Sequence, residues 1–380
     1  YYRYNVISIY SFLGAKLGKE SYQVGSLFFL LSRIVGASAR LYLVTMVVQI
    51  LICDALGIPF YLTALILLAL IALYSASGGI ATIVITDTLQ TALMLLAAGL
   101  AFYYVGKAVV NPGQSFGSFL TSHPDWYFIE TGTSKAWWKQ ILGGAAIAVA
   151  MTGLDQDMMQ KNLTVKKLID AQKNMLLLGC SLLVVNLLFL SLGIMLSEYA
   201  EIQGITATGD KLFATVANSE GLPVALSVLF FLGLLAAAFS SADSALTSLT
   251  TAFCIDFLNL SQNGSTKTRN AVYAVFMGIV LMVMVVIYSL EADSIISGLF
   301  TAAGYTYGPL LGLFVMALMT NRRLQGWWVL AVCIAAPILT YELSLWAPSV
   351  GYAIGFELLL YNGLFTFLGL LVISKPPRIT

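Results

Sequence analysis

Long, uninterrupted apolar runs are the feature that most limits what this chain can fold into. A bilayer-spanning helix needs ~20 mainly apolar residues, and runs such as 172–198 reach that length. The runs are continuous rather than alternating, which excludes a membrane barrel. Only 10% of the 380 residues are charged, whereas a soluble domain is ~25% charged. These features exclude a soluble enzyme, a disordered chain and a nucleic-acid binder, and predict an all-α, polytopic helical membrane protein.

Ten stretches are predicted as spanning helices. They cover residues 25–52, 59–76, 80–105, 137–160, 172–198, 223–258, 270–290, 294–319, 327–346 and 350–373. We expect one membrane domain over residues 1–380, with a cytoplasmic loop at 1–24 and an extracellular loop at 106–136. Because the first residue is Tyr1 rather than Met, we expect a fragment whose start is missing.

Basic residues are distributed unequally between the two sets of loops. Thirteen lie in one set and four in the other, namely Lys107, Lys135, Lys139 and Lys211. Lys and Arg accumulate in cytoplasmic loops, so the first set is predicted to be cytoplasmic, and ten spans place both ends of the chain inside. We expect an integral protein of a bacterial plasma (inner) membrane that functions as a monomer.

A polar cluster interrupts the sixth predicted helix, where residues 236–244 read AAAFSSADS. Ala237, Ser240 and Ser241 are spaced i, i+3, i+4 and share one face, and Asp243 and Ser244 extend an overlapping face. Hydroxyl, carboxylate and carbonyl oxygens in a dry setting suit a hard cation. The alternative is that the serines bond back to their own helix while the small residues let helices pack.

Among the charged positions within other predicted spans, where a charge costs at least ~2.5–3.5 kcal/mol, Asp87 and Arg40 are further candidates for function. Asp87 follows the start of the third predicted helix among threonines and a glutamine. It is either functional or an interfacial carboxylate bonded to those neighbours. Arg40 lies near the middle of the first predicted helix, too deep to reach water easily. It either pairs with Asp243 or Asp87, or faces a cavity and binds an anionic group bidentately.

Asp155 and Gln156 lie at the inner end of the fourth predicted helix. We expect them to cap that end and to hydrogen-bond at the cytoplasmic mouth. A gating role for the pair is the further hypothesis.

Three segments resemble signatures of the sodium:solute symporter family. Gly78-Gly79 with residues 86–90 (TDTLQ) resembles "GG…TDxxQ", and residues 155–161 (DQDMMQK) resemble "(N/D)QxxxQR", with Lys161 for the usual arginine. Residues 236–256 resemble "AAxxSSxxS…D". The resemblance implies an inverted-repeat transporter of five plus five helices with sodium-coupled alternating access. By that layout this chain lacks the first two core helices, and its first eight predicted spans correspond to core helices three to ten.

The resemblance also implies site residues by position. The common sodium site corresponds to the Ala237 carbonyl and the hydroxyls of Ser240 and Ser241. Asp87, with Ser240, Asp243 and Ser244, resembles a second cation site in which Asp243 replaces the usual hydroxyl. Arg40 falls where an arginine binds the substrate carboxylate in the sialic acid members. The predicted substrate-binding residues are Arg40, Met151, Thr152, Ser297 and Thr301.

These expectations describe a sodium-coupled secondary active symporter that imports a small organic solute. The substrate hypothesis is a carboxylate-bearing compound, such as a sialic acid, a monocarboxylate or an amino acid. Sodium serves as the coupling ion and the only metal, and no cofactor, covalent chemistry or nucleic-acid partner is expected. Two alternatives stay open: a proton-coupled symporter using Asp87 or Asp243 as the proton carrier, and a solute-sensing membrane protein of the same fold.

Overall fold

Helices form nearly all the regular structure of the chain. The computed structural model describes residues 1–380 except 3–7, 76–79, 128–130, 132–133, 135, 208, 218, 220, 261–264, 291–294, 325 and 377–380. The side chains of residues 74–75, 80–87, 125, 127, 160, 210, 238–240 and 295–296 are also outside the described part. Within it, strand-like pairing is limited to an isolated bridge between Arg323 and Lys375.

Fourteen α-helices are described, joined by turns and short π- or 3-10 segments. They are α1 (Ile9–Leu17), α2 (Lys19–Val48), α3 (Phe60–Ser75), α4 (Ile80–Val109), α5 (Phe116–Ser122), α6 (Trp137–Gly153), α7 (Gln156–Leu163), α8 (Leu168–Gln203), α9 (Leu212–Ala217), α10 (Val224–Asp256), α11 (Thr266–Ser289), α12 (Ile295–Met319), α13 (Trp328–Trp346) and α14 (Leu358–Ile373).

Seven of the described helices are long and apolar enough to cross a membrane, judged by length and composition. They are α2 with its π-helical continuation to Cys53, α4, α8, α10, α11, α12 and α13. Helices α3 and α14 are shorter apolar helices, and α6 has 17 residues. The helical membrane fold is thereby confirmed, whereas the count of ten spans and the inverted repeat stay predictions.

Two segments predicted as loops contain helices. Residues 1–24 include α1 and the first turn of α2, and the buried side chains of α1, among them Tyr10 and Leu13, belong to the main hydrophobic core. The backbone N–H of Leu324 donates to the carbonyl of Leu17 at 2.8 Å, which fixes the end of α1. The segment 106–136 includes α5, where Ser115 forms a capping box with Ser118. Which side of the membrane each segment faces stays a prediction.

The predicted spanning helix 137–160 is wrong, because the chain forms two helices there. Helix α6 ends at Gly153, and α7 begins at Gln156. Between them Asp155 has an extended backbone (φ −97°, ψ 123°), and its carboxylate accepts the N–H groups of Asp157 and Met158. An aspartate at this position satisfies backbone donors that a new helix would leave unpaired, so it stabilises the break. The last predicted helix is also shorter than expected, since α14 begins only at Leu358.

Three glycines spaced four residues apart on α12, Gly304, Gly308 and Gly312, allow α14 to pack very closely against it. A Cβ on Gly308 would overlap the side chain of Asn362, and one on Gly312 would lie 2.5 Å from Cβ of Thr366. The Asn362 amide donates to the carbonyls of Gly304 at 3.0 Å and Tyr305 at 2.9 Å. Small residues allow such approach between membrane helices, and the two helices therefore interlock.

A buried ion pair connects the start of α6 with the segment before α14. Lys139 Nζ donates to the carbonyl of Ala353 at 2.6 Å and lies 3.8 Å from Oε1 of Glu357. The same ammonium group lies 3.7 Å from the centroid of the Tyr352 ring, a cation–π geometry. Lys139 and Glu357 are each 4% exposed, so each charge depends on the other for compensation.

Candidate ion and solute site

Polar side chains connect α2 and α10 at three levels along the two helices. The contacts are direct at the first and third levels, and at the second level they run through α7. At the first level Ser26 donates to Oδ2 of Asp256 at 2.5 Å, and Tyr22 donates to the other carboxylate oxygen. At the third level Nη1 of Arg40 donates to Oγ of Ser241 at 3.3 Å. The 14 residues from Ser26 to Arg40 and the 15 from Ser241 to Asp256 span roughly 21 and 22 Å at ~1.5 Å per residue. The two helices therefore run antiparallel.

The second level is a buried ionic network around the break between α6 and α7. Nη2 of Arg33 lies 2.6 Å from Oδ2 of Asp157, and Nη1 lies 3.8 Å from Oδ2 of Asp155. Ser244 of α10 donates to Oδ1 of Asp157 at 2.6 Å, and Tyr307 of α12 donates to Oδ2 of Asp155 at 2.8 Å. Four helices, α2, α7, α10 and α12, thus meet at two carboxylates and one guanidinium group.

Helix α1 is attached to the same break through uncharged groups. The backbone N–H of Ile9 donates to Oε1 of Gln156 at 2.8 Å, and the Tyr10 hydroxyl donates to the carbonyl of Leu154 at 2.8 Å. Burial raises the pKa of Tyr10 well above its ordinary value, and the nearby Asp155 carboxylate adds to that rise. The hydroxyl therefore keeps its proton and remains a donor. Asp155 and Gln156 are buried, and their gating role stays a prediction.

One described serine of the cluster region bonds to its own helix, whereas two others have partners on other helices. Ser248 donates to the carbonyl of Ala245 at 2.9 Å, as the alternative interpretation of the cluster expects. Ser244 instead donates to a carboxylate on another helix, and Ser241 accepts from Arg40. The described contacts of Arg40 are to Ser241 and, at 3.1 Å, to the carbonyl of Gly36, rather than to Asp243.

The remaining predicted cation ligands are described only in part. Ala237 is half-buried on α10. Asp243 is 2% exposed and accepts the hydroxyl of Thr247 at 3.3 Å. The side chains of Asp87 and Ser240 lie outside the described residues, so both sites stay predictions.

The predicted substrate residues lie on α2, α6 and α12. Met151 and Thr152 are half-buried near the end of α6, whereas Ser297 and Thr301 are exposed on α12. Thr301 donates to the carbonyl of Ser297 at 3.0 Å, one turn earlier. A Cβ on Gly36 would lie 3.5 Å from Arg40 and 4.0 Å from Leu299. This part of α12 therefore passes α2 beside Arg40.

Sequence reasoning noted Arg33 on nearly the same face as Arg40 but did not predict its ion pair with Asp157. The available signal was Arg33 itself, a second arginine seven residues before Arg40 and thus about two turns away on nearly the same face. Its partner lies 124 residues further along the chain, and no local pattern reveals such a contact.

Comparison with known proteins identifies the family of the chain. The model of the Sodium:solute symporter family matches residues 1–326. The chain belongs to the sodium:solute symporter family. The predicted family is therefore confirmed.

Two relatives give the degree of similarity. The chain is 25% identical over 309 residues to sodium/glucose cotransporter 1 of Ovis aries, covering 70% of this chain and 46% of that protein. It is 24% identical over 349 residues to a putative sodium-dependent multivitamin transporter of Drosophila melanogaster, covering 85% and 56%. The chain spans about half the length of these relatives, which are transport proteins rather than enzymes.

A solved structure supports the fold. The substrate-bound, outward-open structure of a Na+-coupled sialic acid symporter superposes with a TM-score of 0.78 at 18% identity. The superposition covers 98% of this chain and 79% of that one. At this level of identity the similarity concerns the fold.

Proposed function

We propose that this chain forms part of a sodium-coupled secondary active symporter that imports a small organic solute by alternating access. The match to the symporter family over residues 1–326 carries the proposal. Sodium would bind at the carbonyl of Ala237 and the hydroxyls of Ser240 and Ser241. The outward-open and inward-open conformations would differ in their affinities for sodium and for the solute. This difference would couple the sodium gradient to solute uptake.

The position of Ser241 is compatible with a cation site only if Arg40 moves. Its oxygen accepts a hydrogen bond from the Arg40 guanidinium group at 3.3 Å, and that positive charge would repel a second cation at the same oxygen. We therefore expect sodium to replace Arg40 at this hydroxyl, an oxygen ligand of the kind that coordinates small cations. Asp87, Asp243 and Ser244 are the proposed ligands of a second cation.

Arg40 supports a carboxylate-bearing solute. A guanidinium group has five N–H donors in a planar arrangement that suits carboxylates. Among the described residues, the contacts with Gly36 and Ser241 use one donor each, and the other donors could bind an anion. Met151 and Thr152 on α6 would complete the pocket, together with Ser297 and Thr301 on α12.

Uptake by the full-length protein in proteoliposomes tests the sodium site. A panel of carboxylates is supplied with sodium or with choline, and the half-saturating sodium concentration is measured for the best solute. Ser240→Ala and Ser241→Ala are expected to raise it by ~10-fold or more, since a bond to a charged group contributes ~1.5–3 kcal/mol. Ser248→Ala is the matched control, because that hydroxyl bonds to its own helix.

The outcomes separate the proposal from its rivals. Unchanged sodium dependence in both serine variants contradicts the sodium site. Uptake that persists in choline but collapses with a protonophore selects a proton-coupled symporter. Binding without any transport favours a solute sensor. If Arg40→Ala leaves binding of the best solute unchanged, the carboxylate hypothesis is wrong.

A further inference from the structure

The contact from Arg33 through Asp157 to Ser244 connects the proposed second cation site with the break between α6 and α7. We propose that Asp157 positions Ser244 as a ligand of the second cation, and that Arg33 holds the Asp157 carboxylate in place. The inference rests on the proposed symport function and adds two positioning residues to it. It also names the contacts through which binding of the second cation would affect the position of α7.

The orientation of the Ser244 hydroxyl is the first step. A hydroxyl has one proton and two lone pairs, and in this helix Ser248 gives its proton to a carbonyl one turn earlier. Ser244 gives its proton to Oδ1 of Asp157 at 2.6 Å. Its lone pairs are then free for a cation held with Asp243, the preceding residue. A carboxylate acceptor also increases the basicity of the ligand that donates to it.

Arg33 explains how a carboxylate can remain buried at this point. Asp157 is 8% exposed and would be strongly destabilised as an unpaired charge. Nη2 of Arg33 lies 2.6 Å from its other oxygen, so the two carboxylate oxygens face different partners. Oδ2 faces the guanidinium group, and Oδ1 remains available to Ser244.

The charge of the network also favours a cation nearby. Arg33 and Arg40 contribute +1 each, and Asp155, Asp157 and Asp243 contribute −1 each, which leaves a formal charge of −1 among these described side chains. Opposite charges attract more strongly where water is excluded. The two guanidinium groups therefore compensate the three carboxylates only partly, and a cation at Ser244 would complete the compensation.

Helix α7 is the element on which the second cation would act. A cation that holds Ser244 also holds Asp157, near the start of α7. The adjacent Gln156 bonds the backbone of α1, and Asp155 accepts the hydroxyl of Tyr307 on α12. Occupancy of the second site would therefore favour the conformation in which α1, α7, α10 and α12 are joined, as here.

Sodium titrations of uptake by the full-length protein test this proposal. Asp157→Asn and Ser244→Ala are expected to lower the Hill coefficient for sodium towards one. They should raise the half-saturating sodium concentration by ~10-fold, which is the lower end of the loss of metal affinity when a residue that supports a ligand is removed. The KM for the solute at saturating sodium should change less than twofold. Ser244→Thr keeps the hydroxyl and should restore the wild-type titration, and Asp170→Asn, an exposed acid at the start of α8, is the control.

The double variant and the wild type give the decisive comparisons. Asp157→Asn combined with Ser244→Ala should be no worse than either single change, because both remove the same ligand geometry. Additive effects, or an unchanged Hill coefficient in both single variants, overturn the proposal. If Asp157→Asn does not fold, the Ser244→Ala and Ser244→Thr pair decides alone. A sodium-dependent wild type with a Hill coefficient of one overturns this inference only, whereas a sodium-independent wild type overturns the symport function itself.

Discussion

Removing one member of the Arg33–Asp157 pair should destabilise the protein more than removing both. The two side chains are 7% and 11% exposed and 2.6 Å apart. Loss of one partner from a buried pair costs ~3–5 kcal/mol, whereas replacement of both by apolar groups is often neutral. We therefore expect Arg33→Met and Asp157→Leu to be strongly destabilising alone and largely compensating together.

The geometry also predicts which single change is worse. In Asp157→Leu, Arg33 keeps a second carboxylate, since Nη1 lies 3.8 Å from Asp155. The expected loss is therefore near ~3 kcal/mol. Arg33→Met leaves Asp155 and Asp157 buried without their cation, so like charges add to the desolvation cost. The expected loss is then near ~5 kcal/mol.

The free energy of unfolding can be measured by titrating the full-length protein in mixed micelles with SDS and following tryptophan fluorescence. The double variant should lose at least ~2 kcal/mol less than the sum of the two single losses, a coupling within the range for residues in contact. Asp170→Leu controls for the removal of an exposed acid. Additive losses, or single losses below ~1 kcal/mol, would refute the reasoning, because the pair would then behave like a solvated one.

Two further perturbations test the packing of α14. Gly308→Ala should lower the free energy of unfolding by ~1–3 kcal/mol, the range for overpacking, because its Cβ would overlap Asn362. Gly298→Ala on the same helix has open space and should be neutral or slightly stabilising, and equal effects of the two changes would contradict this interpretation. Lys139→Met should cost ~3–5 kcal/mol by leaving Glu357 buried without its cation, with partial recovery when Glu357→Gln is added. No recovery in the same SDS titration would show that lost packing, not charge, causes the defect.

The sequence was sufficient for the fold class and the family, but not for the break in the fourth predicted span. Apolar run length predicts membrane helices because the bilayer sets that length. Local signals for the break were nevertheless present. Gly153 and Asp155 are residue types that end and begin helices, but our prediction extended the apolar run of α6 through them to residue 160.

The contacts of individual polar residues could not be predicted locally. Ser244 and Ser248 occur in similar small and polar surroundings on one helix, yet only Ser248 bonds to that helix. The difference arises because Asp157 reaches Ser244 from α7, a contact across 87 residues. Arg40 illustrates the same limit, since sequence reasoning left open a pairing with Asp243 or Asp87 and the binding of an anion in a cavity, and its described contacts are a hydroxyl and a carbonyl. Asp87 and Ser240 keep their predicted roles as hypotheses.

The close packing of α14 against the glycines of α12 has a consequence for how these two helices can move. Asn362 and Thr366 of α14 pack against Gly308 and Gly312 over successive turns, and the Asn362 amide also donates to the carbonyls of Gly304 and Tyr305. Helices joined in this way resist sliding and rolling against each other, because packed interfaces change between discrete arrangements rather than deforming continuously. The described polar contacts between α2 and α10, in contrast, join individual side chains. We therefore expect α14 to move together with α12 when α12 is displaced.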